Sequence, residues 1–399
     1  MLTKNVRLKI SGTYCTWKFM TGTFTLLDGY ATSEGTRKFA EGAIQKGIPF
    51  SHFRAFDGLR LSSIGLGTYL GQPTAEDDRA VEEAVYESIR SCAVNVIDTA
   101  INYRAMRSER SIGKALLRLA RDEIVSREQV FICSKNGYIT NDGQFPSFDL
   151  IDYIHRMYIS TGIIGTNDIS SGYNVMNPRY IERCIDKSLS NMHLTTIDLM
   201  YIHNAFESWH QDVNREEFME MLGKVFEVYE KYRSNNKIRY YGMATWTCFR
   251  VHPNSKEYLS LEEVVKLAHK VGGSEHGFRL IQLPYNLAYS EALLLKNQSV
   301  GSNKNLSILE AAKLLNVKVF ASAPLLQGRL LSTKIPDYMG ISDQVAKLIQ
   351  IVRSSPSIIA PLLGYKTQEH IKHNVKIANI PPMSESEFLN VVTCLLKGK

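Results

Sequence analysis

The sequence predicts an α/β protein, a (β/α)8 barrel with an N-terminal hairpin and long loops at the C-terminal face of its strands, on three observations. From about residue 60 onward, eight short β-branched and apolar runs recur along the chain. Segments whose apolar residues repeat at helical spacing separate them, and buried-looking strands alternating with amphipathic helices build a parallel sheet. The first run lacks the glycine pattern of a doubly wound dinucleotide fold: Gly65 and Gly67 supply G-x-G, but Leu70 stands where the third glycine belongs. Eight strands with eight crossovers is the number that closes a barrel.

Residues 1–50 are an N-terminal extension. The first 27 lack Asp and Glu, carry Lys4, Arg7, Lys9 and Lys18, and are rich in Ser and Thr. That composition reads either as an organellar transit peptide, placing the protein in a mitochondrion or plastid, or as a frayed basic extension of a cytoplasmic protein. The barrel domain follows over residues 51–383. Asp57-Gly58 between FRAF and LRLSSI predicts a hairpin plugging the barrel bottom. The strand runs fall at residues 62–67, 94–98, 129–135, 196–203, 238–245, 279–284, 317–323 and 357–364.

Between the first two runs, Val81, Val85, Ile89 and Cys92 recur at helix spacing, with charged residues opposite. Ile112, Ala115, Leu116 and Leu119 do the same in the second connection, and Ile181, Ile185, Leu189 and Met192 in the third. Residues 136–177, 285–305 and 324–340 exceed what packing needs and emerge where barrels place their chemistry. The first carries Tyr138, Phe145, Phe148, Tyr153, Tyr158 and Tyr173, which suit the wall of a pocket for an apolar or aromatic substrate, although a surface loop would carry them too. The closing segment 384–399 predicts a terminal helix, with Ser384 and Glu387 as a capping box.

Composition narrows the function. With 44% hydrophobic and 22% charged residues the chain can bury a large core. A net charge of +7 admits an anionic partner, but the Lys and Arg residues are scattered, which disfavours nucleic acid and suits a phosphate-bearing small molecule. The six cysteines contain no CxxC and read as reduced core residues. No histidine falls in a metal-ligand pattern, so no metal is expected, and no apolar stretch reaches the roughly 18 residues of a membrane span.

Chemistry concentrates at strand ends. Asp98 ends the second strand and Tyr103 follows five residues later; Lys135 ends the third strand and His203 the fourth. Three consecutive strands thus point polar groups into one rim. Lysine after an apolar run needs a counter-charge, which Asp98 on the neighbouring strand supplies. The fixed ammonium would favour the Tyr103 phenolate and lower a pKa that is ordinarily about 10, making Tyr103 a usable acid and base.

These residues and the block DTAINY resemble the aldo-keto reductase superfamily, whose Asp, Tyr, Lys and His tetrad matches Asp98, Tyr103, Lys135 and His203. The resemblance covers about residues 56–383. It implies an NADPH-dependent oxidoreductase in which His203 orients a small-molecule carbonyl and Tyr103 protonates its oxygen as hydride arrives. It also implies the cofactor contacts. GLGTY, with Gly67 and Thr68, resembles the family's first-strand segment, and Asp98 and Asn204 adjoin the cofactor. Gln282 stands where a glutamine holds the carboxamide.

Ala244-Thr245 replaces the usual Ser-Asn, leaving Thr245 as the partner there. Ser322 replaces the ring-stacking aromatic, with Phe320 on the same strand face as a substitute. Leu325, Gln327 and Gly328 keep the pyrophosphate-loop pattern. In LLGYKTQEHIKHN, Gly364 opens a helix N-terminus for phosphate, Lys366 stands where a basic residue meets the 2′-phosphate, Gln368 and His370 lie beside it, and Asn374 matches the adenine contact. His373 replaces the family's Glu.

The leading reading is a monomeric or weakly associating carbonyl reductase. The altered carboxamide and stacking positions keep open an NADPH-binding regulatory protein with slow turnover, resembling the potassium-channel β-subunits. A Schiff-base lyase using Lys135 as nucleophile is a third reading, which leaves Tyr103 without a task.

Overall fold

The structure is a computed structural model that describes residues 26–145 and 149–397. The transit-peptide reading therefore lies almost wholly outside the described residues, as do Cys15 and Phe148.

Eight parallel strands close a barrel. They are β1 (Gly65–Gly67), β2 (Val96–Asp98), β3 (Phe131–Asn136), β4 (Ile197–His203), β5 (Ile238–Ala244), β6 (Phe278–Pro284), β7 (Lys318–Ser322) and β8 (Ile358–Leu363), each lying on its predicted run. Closure is made by β8 against β1, where Leu362 pairs with Gly65. Gly242 in β5 permits a close approach to β6, since a Cβ there would lie 1.8 Å from the Leu280 carbonyl oxygen.

The period of two along each strand sorts the interior into layers. Val96, Cys133, Tyr201, Leu280, Phe320 and Leu362 belong to one buried cluster inside the barrel. Two residues further along their strands stand Asp98, Lys135, His203, Gln282, Ser322 and Gly364. The strands' apolar interior therefore ends in a polar top layer.

The bottom is closed by a hairpin, Phe53–Phe56 against Leu59–Ser62. Asp57 and Gly58 turn it with φ of 45° and 79°, the two left-handed residues that a two-residue hairpin loop requires. Phe56, Leu59 and Leu61 enter the interior cluster, and the Phe56 ring meets Phe131 and Tyr240 at 6.1 and 5.1 Å.

Helices Ala75–Arg90, Arg107–Arg121 and Pro178–Met192 carry the predicted stripes. Helix Glu385–Lys397 begins as expected: the Ser384 amide donates to Glu387 and the Glu387 amide returns to the Ser384 hydroxyl. A further helix, Ser33–Gln45, buries Phe39, Ala40 and Ala43 against the outer core. Sequence reasoning assigned nothing there, because Gly35 and Gly42 interrupt a short apolar stripe. Gly35 earns its place: a Cβ would sit 2.3 Å from the Glu128 carbonyl oxygen. Among the described residues no helix is long and apolar enough to cross a membrane.

Candidate active site

The top layer brings the four predicted residues together. Lys135 Nζ donates to Asp98 Oδ2 at 2.5 Å, to the Thr99 carbonyl at 2.8 Å and to Tyr103 Oη at 3.3 Å. Its side chain is fully buried. Burial alone would discharge the amine; Asp98 and Tyr103 outweigh that and hold it charged, above its ordinary value. Gln282 Nε2 donates to the other Asp98 oxygen at 2.8 Å. From β1, the Thr68 hydroxyl and amide both bond the Asp98 carbonyl, fixing the end of β2.

Tyr103 differs from expectation in the sign of its shift. Burial raises the phenol above the ordinary tyrosine value, and Lys135 offsets only part of that rise. Desolvation of the phenolate is the larger effect, so the resting group is a protonated acid. Lys135 Nζ, 3.3 Å from Tyr103 Oη, is placed to stabilise a phenolate there.

The His203 ring meets Tyr103 edge-on at 5.9 Å and Tyr138 at 5.0 Å. Burial, with repulsion from Lys135, holds this imidazole well below its ordinary value, so it is neutral. Its Nδ1 has no partner among the described residues. Asn174 Nδ2 bonds the His203 carbonyl at 2.9 Å and so holds the end of β4.

Tyr103 is followed by three left-handed residues, Arg104, Ala105 and Met106, with φ of 51°, 54° and 66°. Such a run costs roughly 1–2 kcal/mol per residue and persists only where the surroundings hold it. The holder is Asp78: Arg104 meets it at 2.9 Å and Arg107 at 2.5 Å. The neighbouring Asp77 pairs with Lys366 and accepts the Gln72 amide at 2.5 Å. One helix start therefore ties the Tyr103 loop to the segment after β8.

The other predicted cofactor residues divide into two groups. After β8, Gly364 and Lys366 lead into helix Gln368–Ile377, which Thr367 caps and which exposes Gln368 and His370 at its start. A Cβ on Gly364 would lie 2.9 Å from the Leu70 side chain and 3.7 Å from the Gly67 carbonyl oxygen, so glycine lets the exposed bend pass close to Leu70. Asn374 is buried on this helix, and His373 is paired with Asp343 at 3.0 Å. After β7, Leu325 precedes a turn in which Gln327 and Gly328 are left-handed.

The group at the ends of β4 to β7 is committed elsewhere. Gln282 faces Asp98, and the Thr245 hydroxyl donates to the Gln282 carbonyl at 3.3 Å. Asn204 Nδ2 reaches Tyr138 Oη at 3.4 Å. Ser322 is half-buried and bears no aromatic face. Phe320 is no substitute, since it lies fully buried one layer down, with its ring 6.4 Å from Phe131.

The loop after β3 also departs from expectation. Tyr153 and Tyr158 turn inward, with Tyr158 on Tyr180 at 5.0 Å in the outer core, while Phe145 and Tyr173 are exposed. Of its aromatics, Tyr138 meets the tetrad, through the His203 ring at 5.0 Å. Two contributors went unnoticed in the sequence. Tyr69, within GLGTY, packs edge-on to Tyr103 at 5.2 Å and is 59% exposed, at the mouth. Glu207, four residues past His203, accepts the amides of Trp246, Thr247 and Cys248 at 2.7, 2.8 and 3.1 Å, and so takes over anchoring of the loop after β5.

Comparison with known proteins bears on the family and the fold. The family model described as the aldo/keto reductase family matches residues 63–354. An aldo-keto reductase from Bacillus halodurans, in its holo form, shares 18% identity at a TM-score of 0.54, over 84% of this chain and 93% of its own. An aldo/keto reductase from Klebsiella pneumoniae, solved in complex with NADP and acetate, shares 20% identity at a TM-score of 0.54, over 86% and 94%. Another from the same organism, in complex with NADPH, shares 19% at a TM-score of 0.54, over 84% and 91%. At these identities the solved structures establish the fold. No curated protein sequence matches the chain significantly.

Proposed function

The chain belongs to the aldo/keto reductase family, and from that premise we propose that it is an NADPH-dependent carbonyl reductase, turning an aldehyde or ketone into an alcohol with Tyr103 as general acid. The observation that carries the proposal is the contact of one buried ammonium, Lys135 Nζ, with both Asp98 and Tyr103 Oη.

A carbonyl oxygen entering between Tyr103 and His203 meets a phenol that is protonated at neutral pH and an imidazole that is neutral. His203 orients that oxygen through a ring N–H without adding a charge beside Lys135. Tyr103 gives its proton to the oxygen, and Lys135, held charged by Asp98, stabilises the phenolate that remains. Gln282 and Thr99 restrain the Asp98–Lys135 pair while the charge moves.

The residues after β8 fit a dinucleotide phosphate: Gly364 carries no side chain to crowd an exposed bend, Lys366 is a cation, and a ten-residue helix starts there. Lys366 supports the 2′-phosphorylated cofactor over the unphosphorylated one, as do the NADP and NADPH bound in the Klebsiella relatives. When bound, the cofactor supplies the hydride.

Replacing Tyr103 by Phe is expected to lower turnover by about 10²–10⁴-fold, the usual worth of a positioned acid, with NADPH affinity unchanged. Full activity in that variant would sink the proposal. A second reading, an NADPH-binding protein with slow turnover, draws support from Ser322, the buried Phe320 and the commitment of Gln282 to Asp98. It predicts clear NADPH binding with no NADPH oxidation across a panel of aldehydes, ketones and quinones. Lys135 is a poor Schiff-base nucleophile, because its amine is held charged.

A further inference from the structure

At the opposite end of the barrel, the hairpin, the N-terminal ends of β7 and β8 and the start of the terminal helix border an open cavity of about 310 Å³. That is the lower end of the range of about 300–1,000 Å³ in which small-molecule pockets fall. Arg54 from the hairpin, Lys318 from the first position of β7 and Lys313 from helix Ile308–Leu314 line it. None of the three lies within 4.0 Å of a carboxylate among the described residues. The one acid on the lining is the exposed Glu385.

Arg54 is the informative member. Its Nη2 donates to the Arg353 carbonyl at 2.9 Å, and its Nε is buried with no partner. Burial pulls its guanidinium below the ordinary arginine value. Beside it Arg353 is wholly buried and is satisfied by neutral acceptors alone: Gln350 Oε1 at 2.6 Å and the carbonyls of Ile377 and Ile380. Burial, with Arg54 adding repulsion, draws Arg353 down to about 9. Partly desolvated cations are ordinarily paired, and here neither guanidinium meets a carboxylate within 4.0 Å among the described residues. Ser354 Oγ, also on the lining, accepts the Met383 amide at 2.9 Å and keeps its own O–H to give. Ile358, Ile359 and Met383 supply an apolar wall.

We propose that this cavity is a second ligand site, separate from the catalytic face, that takes a small organic phosphate, with Arg54, Lys313 and Lys318 on the phosphate and the apolar wall on its organic part. A phosphate ester brings a charge of about −1.5 to −2, which three cations suit better than a single carboxylate would.

Calorimetric titration of the full chain with phenyl phosphate at low salt tests it. Saturable binding is expected, weakened at least ten-fold in Lys318→Gln and in Arg54→Gln and retained in Lys366→Gln, whose cation lies at the catalytic face. Lys318 is half-buried at the end of a strand, so its variant carries the test should loss of the Arg54–Arg353 contact impair folding. Inorganic phosphate is expected to bind more weakly than phenyl phosphate, and benzoate more weakly still. Absence of saturable binding, loss of binding in Lys366→Gln with retention in Lys318→Gln, or benzoate binding as tightly as phenyl phosphate would each overturn the assignment.

Discussion

Replacing Lys135 by Met removes the ammonium while keeping a side chain of similar reach. In the native protein that ammonium makes three hydrogen bonds from a side chain with no exposure, and the Asp98 side chain is 5% exposed. The variant leaves Asp98 buried with Gln282 as its one remaining side-chain donor. Breaking a buried pair on one side costs about 3–5 kcal/mol, because the surviving charge is uncompensated. That cost depends on pH. Burial already raises the Asp98 carboxyl, and losing Lys135 raises it further.

A folded-state value above the unfolded one, about 3.9, contributes stability that is present in acid and lost as pH rises through the folded value. The deficit of Lys135→Met is therefore largest at pH 7–8. It shrinks toward pH 5 by up to about 1.4 kcal/mol per pH unit. The double variant Lys135→Met/Asp98→Asn carries no charge at either position, so it recovers most of the stability and none of the turnover. Urea denaturation followed by the fluorescence of Trp209 and Trp246 measures the first, and NADPH oxidation the second. A single variant as stable as the parent at pH 7, a deficit independent of pH, or a double variant no more stable than the single would refute the reasoning.

Asp77 holds Lys366 and would repel an incoming phosphate, so Asp77→Asn is expected to tighten NADPH by about two- to five-fold, the worth of a partly exposed ion pair, and to leave NADH unchanged. Fluorescence titration of both cofactors decides it, and weaker NADPH binding would count against the role given to Lys366. His52 is fully buried as a neutral ring, bonded to the Ala93 carbonyl at 2.7 Å and to Ser63 at 3.2 Å, and burial draws it down to about 3. Its folded value lies below the unfolded one, so its contribution is intact above pH 6.5 and is lost as pH falls from there. Between pH 6.5 and 5.5 that loss is about 1 kcal/mol, and His52→Gln should flatten the pH dependence of stability by this amount. An unchanged slope in the variant would show that the ring is not held neutral.

The tetrad was legible because its information is local to strand ends. Asp98, Lys135 and His203 each close an apolar run, and the period of two along a strand puts all three in the same interior layer without knowledge of any loop. The same rule, carried one step back, would have excluded Phe320: two residues before a top-layer position is the layer below, which the hairpin plug seals from beneath. What was not legible depends on pairings between distant residues. Asp77 and Lys366 are 289 positions apart, and nothing in the spacing of either says that they meet. Tyr153 and Tyr158 share the composition of a pocket wall but turn inward onto Tyr180, because packing decides which way a loop aromatic faces. The direction of the Tyr103 shift depended on weighing burial against Lys135, and sequence names the neighbour without measuring the burial.

On the proposed function, Gln282 would couple the proton side of the site to the hydride side. Its side-chain amide has two N–H donors and one acceptor, and one of those N–H groups goes to Asp98. If a bound cofactor draws that amide away, Asp98 keeps Lys135 as its remaining side-chain partner, and the ion pair must bear the whole cost of burying the carboxylate. Thr245 bonds the Gln282 backbone rather than its side chain, so it can restrain the strand while the amide turns. Gln282→Leu should therefore do more than weaken cofactor binding. By removing a hydrogen bond to a charged group, worth about 1.5–3 kcal/mol, it should also destabilise the apoprotein. A Gln282→Leu apoprotein as stable as the parent would mean that Asp98 relies on Lys135 alone and that the two sides of the site are independent.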